Sequence, residues 1–515
     1  MTKRYRISII GGGSLGTSFF NRLVEGARQR VGRTLAVTLH DPLPLGPGLP
    51  YQQDSDAVLL NSPAAYSSAI DADKEHFCRW LVERGYGTLE QVRSRYFPRA
   101  VYGDYLREFM SHTIALAGKL GIEVAHRAFA AESIMHAGDG FRIGDSEGHV
   151  TYADHVVLCV GNPPSARFAH LRGRPGFFDD PYPTTKLAPA ISPHQRVLVL
   201  GTSLSFIDAA LALHEAGHRG HIHATSRSGR LPVVKADSLA FVRCTEFSRM
   251  AASTEQVTLA RLREAVAAEY FLNGGSEAEL PDAFRDCSQG ALNYLNEEID
   301  AATHEPRIWY SVALGLMTSV ENLWGRLSER DRADFSAEFD SKWKMRRISF
   351  PLANAKKIRE LLSHGALSIA AGFQSVRYDQ VRRVFVLNER HGDAIHEREF
   401  DAVIDATGFG TNVAGGPTPL FASMLATGMG AADPLGGFRV NPGSGLLVNT
   451  AGKDEQISVL GTLACGAYFW TNSLDVNVRI AARQASRLLA FLSNTPMASA
   501  DEHATARLTV SDDCL

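Results

Sequence analysis

The chain carries one strand, glycine turn, helix, strand pattern twice, and an internal repeat of that kind restricts the fold more than any single segment does. The first copy starts with the β-favouring run Ile7-Ser8-Ile9-Ile10 and turns through Gly11-Gly12-Gly13-Ser14-Leu15-Gly16. It continues as a helix with Leu15, Phe19, Leu23 and Ala27 on one face, then a strand from Leu35 to Leu39 that ends at His40-Asp41. The second copy starts at Arg196-Val197-Leu198-Val199-Leu200, turns at Gly201-Thr202-Ser203-Leu204-Ser205, and runs as a helix through Phe206, Ala209, Ala210 and Leu213. Gly217 is placed to end that helix, and a strand from His221 to Thr225 leads into Ser226-Arg227. Each copy is followed by a β-rich segment that closes on an apolar strand and a small-residue turn: Gly121 to Gly161 in the first, Gly365 to Gly408 in the second. Two βαβ units with matching tails predict an α/β protein with two Rossmann-like dinucleotide-binding domains.

Gly11, Gly13 and Gly16 fit G-x-G-x-x-G between a strand and a helix, the context the motif requires. The first glycine allows the tight turn, the second lets backbone approach a pyrophosphate, and the third lets helix and strand pack closely. The helix start at Ser14-Leu15 adds unpaired N–H groups and positive dipole. Asp41, at the end of the second strand, stands where an acceptor for ribose hydroxyls is expected. In the second copy Gly201, Thr202 and Ser203 form a less regular loop, and no carboxylate follows the second strand. Ser226, Arg227 and Arg230 stand there instead, and an arginine pairs with a ribose 2′-phosphate that an acid would repel. NADPH is therefore favoured at the second site, with NADH the alternative. Solvated loop arginines are the plainer reading of the same residues.

At 515 residues the chain exceeds what one core normally supports. A net charge of −3 with scattered lysines and arginines presents no basic face for nucleic acid. No stretch reaches the roughly 18 to 20 apolar residues needed to span a bilayer, and the run Ile7 to Ile10 is too short for a secretory segment, so a cytoplasmic location is expected. Cys78, Cys159, Cys244, Cys287, Cys465 and Cys514 form no C-x-x-C pair and no metal-ligand spacing, so neither a metal site nor disulfide reduction is expected. No G-x-S-x-G elbow occurs at Ser14 or Ser203, which sets aside a serine hydrolase.

From about Asp237 to Ala355 the pattern becomes helical, with Leu259, Leu262, Val266 and Tyr270 on one face, and reads as an insertion that shapes a substrate region. His304, Arg307, Trp309, Tyr310, Arg346 and Arg347 suit an anionic or aromatic substrate there, although surface ion pairs and packing are the commoner use of such residues. The turn Asp405-Ala406-Thr407-Gly408 ends a buried strand with small residues, and Ile457 to Leu460 ends at Gly461; both suit close approach to a cofactor. A last helix from about Asp475 has Asn472, Ser473 and Asp475 as candidate caps.

Taken together, Ile9 to Gly16, Asp41-Pro42 with Gly46-Pro47-Gly48, Leu59-Leu60-Asn61, Pro98 to Leu106, Leu200 to Asp208 and Ser226 to Pro232 resemble the bacterial FAD/NAD(P)-binding proteins of the glutathione-reductase-like superfamily. More distantly they resemble flavin-containing and N-hydroxylating monooxygenases. The resemblance departs at Ser14, where proline or alanine is frequent, and at Cys159-Val160-Gly161-Asn162, where A-T-G is usual. It implies FAD at Gly11, Gly13, Gly16 and Asp41, places Asn61 and Arg99 near the flavin or adenine side, and puts the nicotinamide cofactor at Gly201, Ser203 and Arg227. The expected division is residues 1–165 and 400–515 for FAD, 166–236 and 356–399 for NAD(P), and 237–355 for the insertion, which lies outside the resemblance.

The expected activity is an NAD(P)H-dependent, FAD-containing monooxygenase that uses dioxygen on a small molecule, with N-oxygenation as one form. The alternatives are a FAD-dependent reductase or dehydrogenase/oxidase of a small amine, and a nucleotide-binding redox sensor without turnover. Fold alone does not choose among them, and no side chain announces itself as a catalytic acid or base.

Overall fold

The computed structural model describes residues 4–30, 34–235, 242–279, 287–304, 307–415 and 418–493; Asp237, Cys514 and the rest of the C-terminal assignment beyond 493 lie outside them. Its first sheet has the spatial order Leu446–Val448, Asp454–Val459, His155–Leu158, Tyr5–Ile10, Leu35–His40, Glu123–Arg127, parallel except for the Leu446–Val448 edge. The second is fully parallel, in the order Leu367–Ala370, Ile222–Thr225, Val197–Leu200, Ala402–Asp405, Phe177–Phe178. Central strands such as Val197–Leu200 are buried on both faces, which is why they read as unbroken apolar runs. The expected helices are present as Ser14–Arg30 and Leu204–Glu215, and Gly217 closes the latter with φ 88° and its N–H on the His214 carbonyl. A three-stranded antiparallel sheet accompanies each parallel one, Ala131–Ala137 to Val150–Ala153 in the first copy and Phe373–Asp379 to Ala394–Phe400 in the second.

The repeat extends to an ion pair that the motifs do not include. Arg6 donates from its backbone N–H (2.8 Å) and from Nη2 (2.9 Å) to Asp154, and Arg196 does the same to Asp401 at 2.7 and 2.8 Å. Each pair joins residues at the start of the paired strands, one step before the first register partners, Ile7 with His155 and Val197 with Ala402, so it sets register at the entrance to the sheet. Both pairs are partly exposed, so their worth lies in alignment more than in stability.

One boundary differs from expectation. The strand Ala402–Asp405 pairs with Val197–Leu200, Ala402 opposite Val197, so it belongs to the second domain and the chain returns to the first only after Asp405, not at 400. The outgoing and returning crossings touch, with the Gly410 N–H bonded to the Pro163 carbonyl at 2.9 Å. The insertion is helical as expected, from Thr245–Ala252 to Asp340–Arg347, with Leu259 and Tyr270 buried and Leu262 and Val266 half-buried. A short parallel pairing of Val233–Val234 with Ser349–Phe350 closes its neck.

Two buried histidines make the first domain sensitive to acid. Burial pulls both His40 and His155 down to about 4, so both are neutral in the fold at neutral pH. Their stabilising effect is complete above the unfolded value of about 6.5, and is lost as pH falls from there towards about 4, by roughly 1.4 kcal/mol per pH unit for each histidine. Denaturant midpoints measured down this window should fall accordingly, and His155→Phe should make the decline shallower; an unchanged slope in that variant would contradict the assignment.

Candidate nucleotide sites and the junction between them

The first loop is held by contacts that only glycine permits. Gly11 has φ 103° and gives its N–H to the His40 carbonyl at 2.8 Å; a β-carbon there would sit 2.1 Å from the Cys159 carbonyl oxygen. A β-carbon at Gly16 would lie 2.1 Å from the Gly11 carbonyl oxygen, so helix and strand meet at bare backbone. Gly13 faces Gly48, and a β-carbon on Gly13 would lie 3.2 Å from the Gly48 Cα, which explains the Gly46-Pro47-Gly48 segment: it backs the loop and, through Gly46 N–H to the Gly12 carbonyl, fixes it. Ser14 opens the helix, and Leu15 packs on Gly461, whose own β-carbon would be 2.8 Å from the leucine Cδ1. The C-terminal segment thus reaches the glycine loop at the carboxyl ends of the strands, where ligands bind in such sheets.

Asp41 is buried, its Oδ2 accepting from Gly12 N–H at 2.7 Å and its Oδ1 from Leu43 N–H at 2.8 Å. Burial raises its pKa against the lowering effect of those two amides. A carboxylate has about four acceptor directions, so these two bonds leave room for ribose hydroxyls. Asp41 therefore also shapes the loop, a role the motif reading does not include.

The second loop repeats the geometry with different side chains. Gly201 has φ 106°, its N–H bonds the Thr225 carbonyl at 2.7 Å, and a β-carbon would lie 2.6 Å from the Ala406 carbonyl oxygen. Thr202 donates to the Arg230 carbonyl at 2.6 Å and lies 3.0 Å from the Ser226 hydroxyl, which accepts from Gly229 N–H, so both hydroxyls tie the turn to the loop after the second strand. Ser203 precedes the helix Leu204–Glu215 without a side-chain cap, leaving first-turn amides for an anion. Arg227 is exposed and pairs with no carboxylate among the described residues. Thr407 bonds back to Asp405 Oδ1 through both its amide and its hydroxyl, so at that turn the backbone of Gly408, with φ 92°, is what remains exposed.

Asn61 and Arg99 are brought together by the Leu59 to Pro98 bridge. Arg99 then crosses to the second domain: its Nη2 bonds Asp208 Oδ2 at 2.8 Å, its Nε reaches the Leu59 carbonyl at 3.2 Å, and Tyr182 donates its hydroxyl to the same Asp208 oxygen at 2.7 Å. Burial works against the arginine's charge, but Asp208 together with Tyr182 and Tyr51 more than offsets it and holds Arg99 above its ordinary value. Its guanidinium is thus engaged in a buried inter-domain clamp, which neither motif announces because Asp208 reads as one more helix residue. The C-terminal helix starts at Leu474, so Asp475 lies inside its first turn and, where a cap was expected, its carboxylate holds Lys74 and Arg479.

Of the insertion candidates, His304 is exposed beside Asp300, Arg307 is buried on Glu298 at 2.8 Å, Trp309 packs on Arg307, and Tyr310 bonds Ser349 at 2.6 Å. Arg346 and Arg347 are half-buried at the insertion's end. Cys78, Cys159, Cys244 and Cys465 are free thiols.

Removing one partner of a buried ion pair costs about 3–5 kcal/mol, because the other charge is left uncompensated. Arg99→Leu and Asp208→Leu should each lower stability by that order, and the double variant by less than the sum; additive effects in denaturant unfolding would show that the clamp is not coupled.

Comparison with known proteins agrees with this arrangement. Residues 8–163 match the family model described as FAD-NAD(P)-binding. Nitrosuccinic acid synthase of Aspergillus oryzae is 26% identical over 263 residues, which is 46% of this chain and 40% of that protein, so the chain matches well under half of that relative's length. L-lysine 6-monooxygenase from Pseudomonas syringae superposes with a TM-score of 0.56 at 14% identity, covering 95% of this chain and 99% of that one. Ornithine hydroxylase from Pseudomonas aeruginosa, in its reduced form, does so with 0.55 at 13%, covering 95% and 98%. An ornithine N-hydroxylase from Kutzneria sp. 744, solved with reduced FAD, NADP+ and L-ornithine, gives 0.50 at 15%, covering 96% and 99%. Residues 8–163 thus resemble a FAD-NAD(P)-binding segment, and the fold as a whole superposes on these monooxygenase structures along nearly their full length.

Proposed function

We propose that this protein is an NADPH-dependent, FAD-containing monooxygenase that places oxygen on the nitrogen of a small amine. The observation that carries the reading is the pairing of two unlike glycine loops across a touching junction: one ends on the buried acid Asp41, the other on the exposed Arg227, which pairs with no carboxylate among the described residues. An acid suits the free ribose hydroxyls of FAD, and an arginine suits the 2′-phosphate of NADPH. The named activities of the superposed proteins and of the nitrosuccinic acid synthase support oxygenation of nitrogen.

In this reading the amides at the start of Ser14–Arg30 hold the FAD pyrophosphate, and Asp41 takes the ribose. Leu15, Asn61 and Gly461 lie along the cofactor. Gly201, Thr202, Ser203 and Ser226 form the NADPH loop, with Arg227 on its 2′-phosphate and Thr407-Gly408 at the crossing between the sites. Bound there, the flavin supplies the redox chemistry, accepting hydride from the nicotinamide and activating dioxygen. The chain's own work is to align the two nucleotides and keep water from the reacting atoms. The Arg99–Asp208 clamp fixes the angle between the domains, and the insertion packs on the C-terminal segment. Among the described residues no helix is long and apolar enough to cross a membrane, and work in the cytoplasm, where NADPH is supplied, fits this role.

Two measurements test the reading together. Arg227→Ala should raise KM for NADPH by about tenfold, the worth of one charge-assisted contact, while leaving KM for NADH nearly unchanged. With isotopically labelled dioxygen, NADPH oxidation in the presence of substrate should deliver one labelled oxygen atom to the product. Product formed without label would favour a dehydrogenase, and nucleotide binding without any NADPH consumption a redox sensor.

A further inference from the structure

The neck of the insertion brings two cations together with no ion-pair partner for either among the described residues. Lys235 follows the strand Val233–Val234, and Arg347 precedes its partner Ser349–Phe350, with Lys235 N–H bonded to the Phe350 carbonyl at 3.0 Å. Lys235 is 7% exposed; its Nζ donates to the Asn61 carbonyl at 2.7 Å and lies 5.6 Å from the centre of the Tyr96 ring. Arg347 lies over Trp470 at 5.8 Å, and its Nε is buried with no hydrogen-bond partner among the described residues. Neither cation makes an ion pair with a described residue. Arg307, buried as deeply as Lys235 in the same neck, does so with Glu298. Asp475, the acid whose field reaches Arg347, is itself held by Lys74 at 2.8 Å and by Arg479.

Burying a cation is costly unless an anion meets it, and here no described residue forms an ion pair with either. Burial, and then the charge of Arg347, push the Lys235 ammonium down to about 7, which expresses the same shortage of negative charge. The surroundings also converge: Asn61 and Tyr96 come from the FAD-side domain, Trp470 from the segment after Gly461, Lys235 from the second domain and Arg347 from the insertion.

We propose that Lys235 and Arg347 are a carboxylate-recognition pair in the substrate chamber, so that the amine is presented on an acidic molecule of the amino dicarboxylate class rather than as a diamine. Lys235 supplies a compact point charge, and Arg347 a planar fork able to take a carboxylate side-on. The inference rests on the monooxygenase reading and refines its substrate. The product named for the Aspergillus oryzae relative, nitrosuccinic acid, is a dicarboxylate and agrees with it.

The test uses the FAD-loaded full chain with succinate and cadaverine as probes, read by calorimetry and by perturbation of the flavin spectrum. Succinate has no amine to oxidise, so its binding is read independently of turnover. Succinate should bind and cadaverine should not. Lys235→Met and Arg347→Met, at full flavin content, should each weaken succinate at least about tenfold, with Lys235→Arg and Arg347→Lys recovering part of the loss. Wild-type protein that binds cadaverine and not succinate overturns the pair even if the variants fail to fold, as do well-folded methionine variants with wild-type affinity. Labelled oxygen incorporated into an amine without any affinity for succinate overturns the pair alone; affinity for succinate without oxygen incorporation overturns the enzymatic reading and leaves the binding pair in place.

Discussion

The structure depends on two places where a glycine loop passes against the carbonyl of a neighbouring strand end. A β-carbon would come within 2.1 Å of an oxygen at Gly11 and 2.6 Å at Gly201, so any other residue must push the loop off the sheet. Keeping side chains away from these turns is also what lets a nucleotide phosphate approach backbone N–H groups at the start of the following helix. One steric requirement therefore shapes the sheet, the helix contact and the binding surface. Its repetition at matching positions gives a single chain two glycine loops of the same geometry.

Two sites serve redox transfer only if their relative position is held. Two light covalent crossings join the domains, touching at Gly410 and Pro163, and the Arg99–Asp208–Tyr182 group adds a buried polar clamp. A buried pair of this kind is geometrically demanding because neither charge tolerates loss of the other. Its orienting role follows from this: the clamp specifies one inter-domain arrangement. The insertion then grows out of the second domain through the Val233–Val234 neck and packs on the C-terminal segment, with Trp324 donating to the Gly466 carbonyl and Glu321 pairing with Arg479.

Much of this was legible in the residues. Buried parallel strands announce themselves as apolar runs, and positive-φ turns as glycines, so both sheets, both leading helices, the duplicated loops and the helical insertion could be read directly. What escaped reading depends on long-range pairing. Arg6 with Asp154 and Arg196 with Asp401 look like solvated charges until the copies are aligned, although their matching places at the start of the strands were a usable signal. A boundary at 400 cuts through the second copy's own tail: Ala402–Asp405, which the repeat already assigns to that copy, pairs with Val197–Leu200. Lys235 is a single lysine after two valines, and its burial beside Asn61 exists only once the insertion has closed its neck.

The account stands on two carriers meeting face to face within one chain. Anaerobic titration of the flavin-loaded protein with NADPH measures that most directly, because hydride can pass only if nicotinamide and flavin are in contact. The account predicts that the flavin absorbance bleaches in proportion to added NADPH, with about one equivalent completing the change for a two-electron transfer. Protein that takes up no flavin, or that binds NADPH while the flavin stays oxidised, would contradict it.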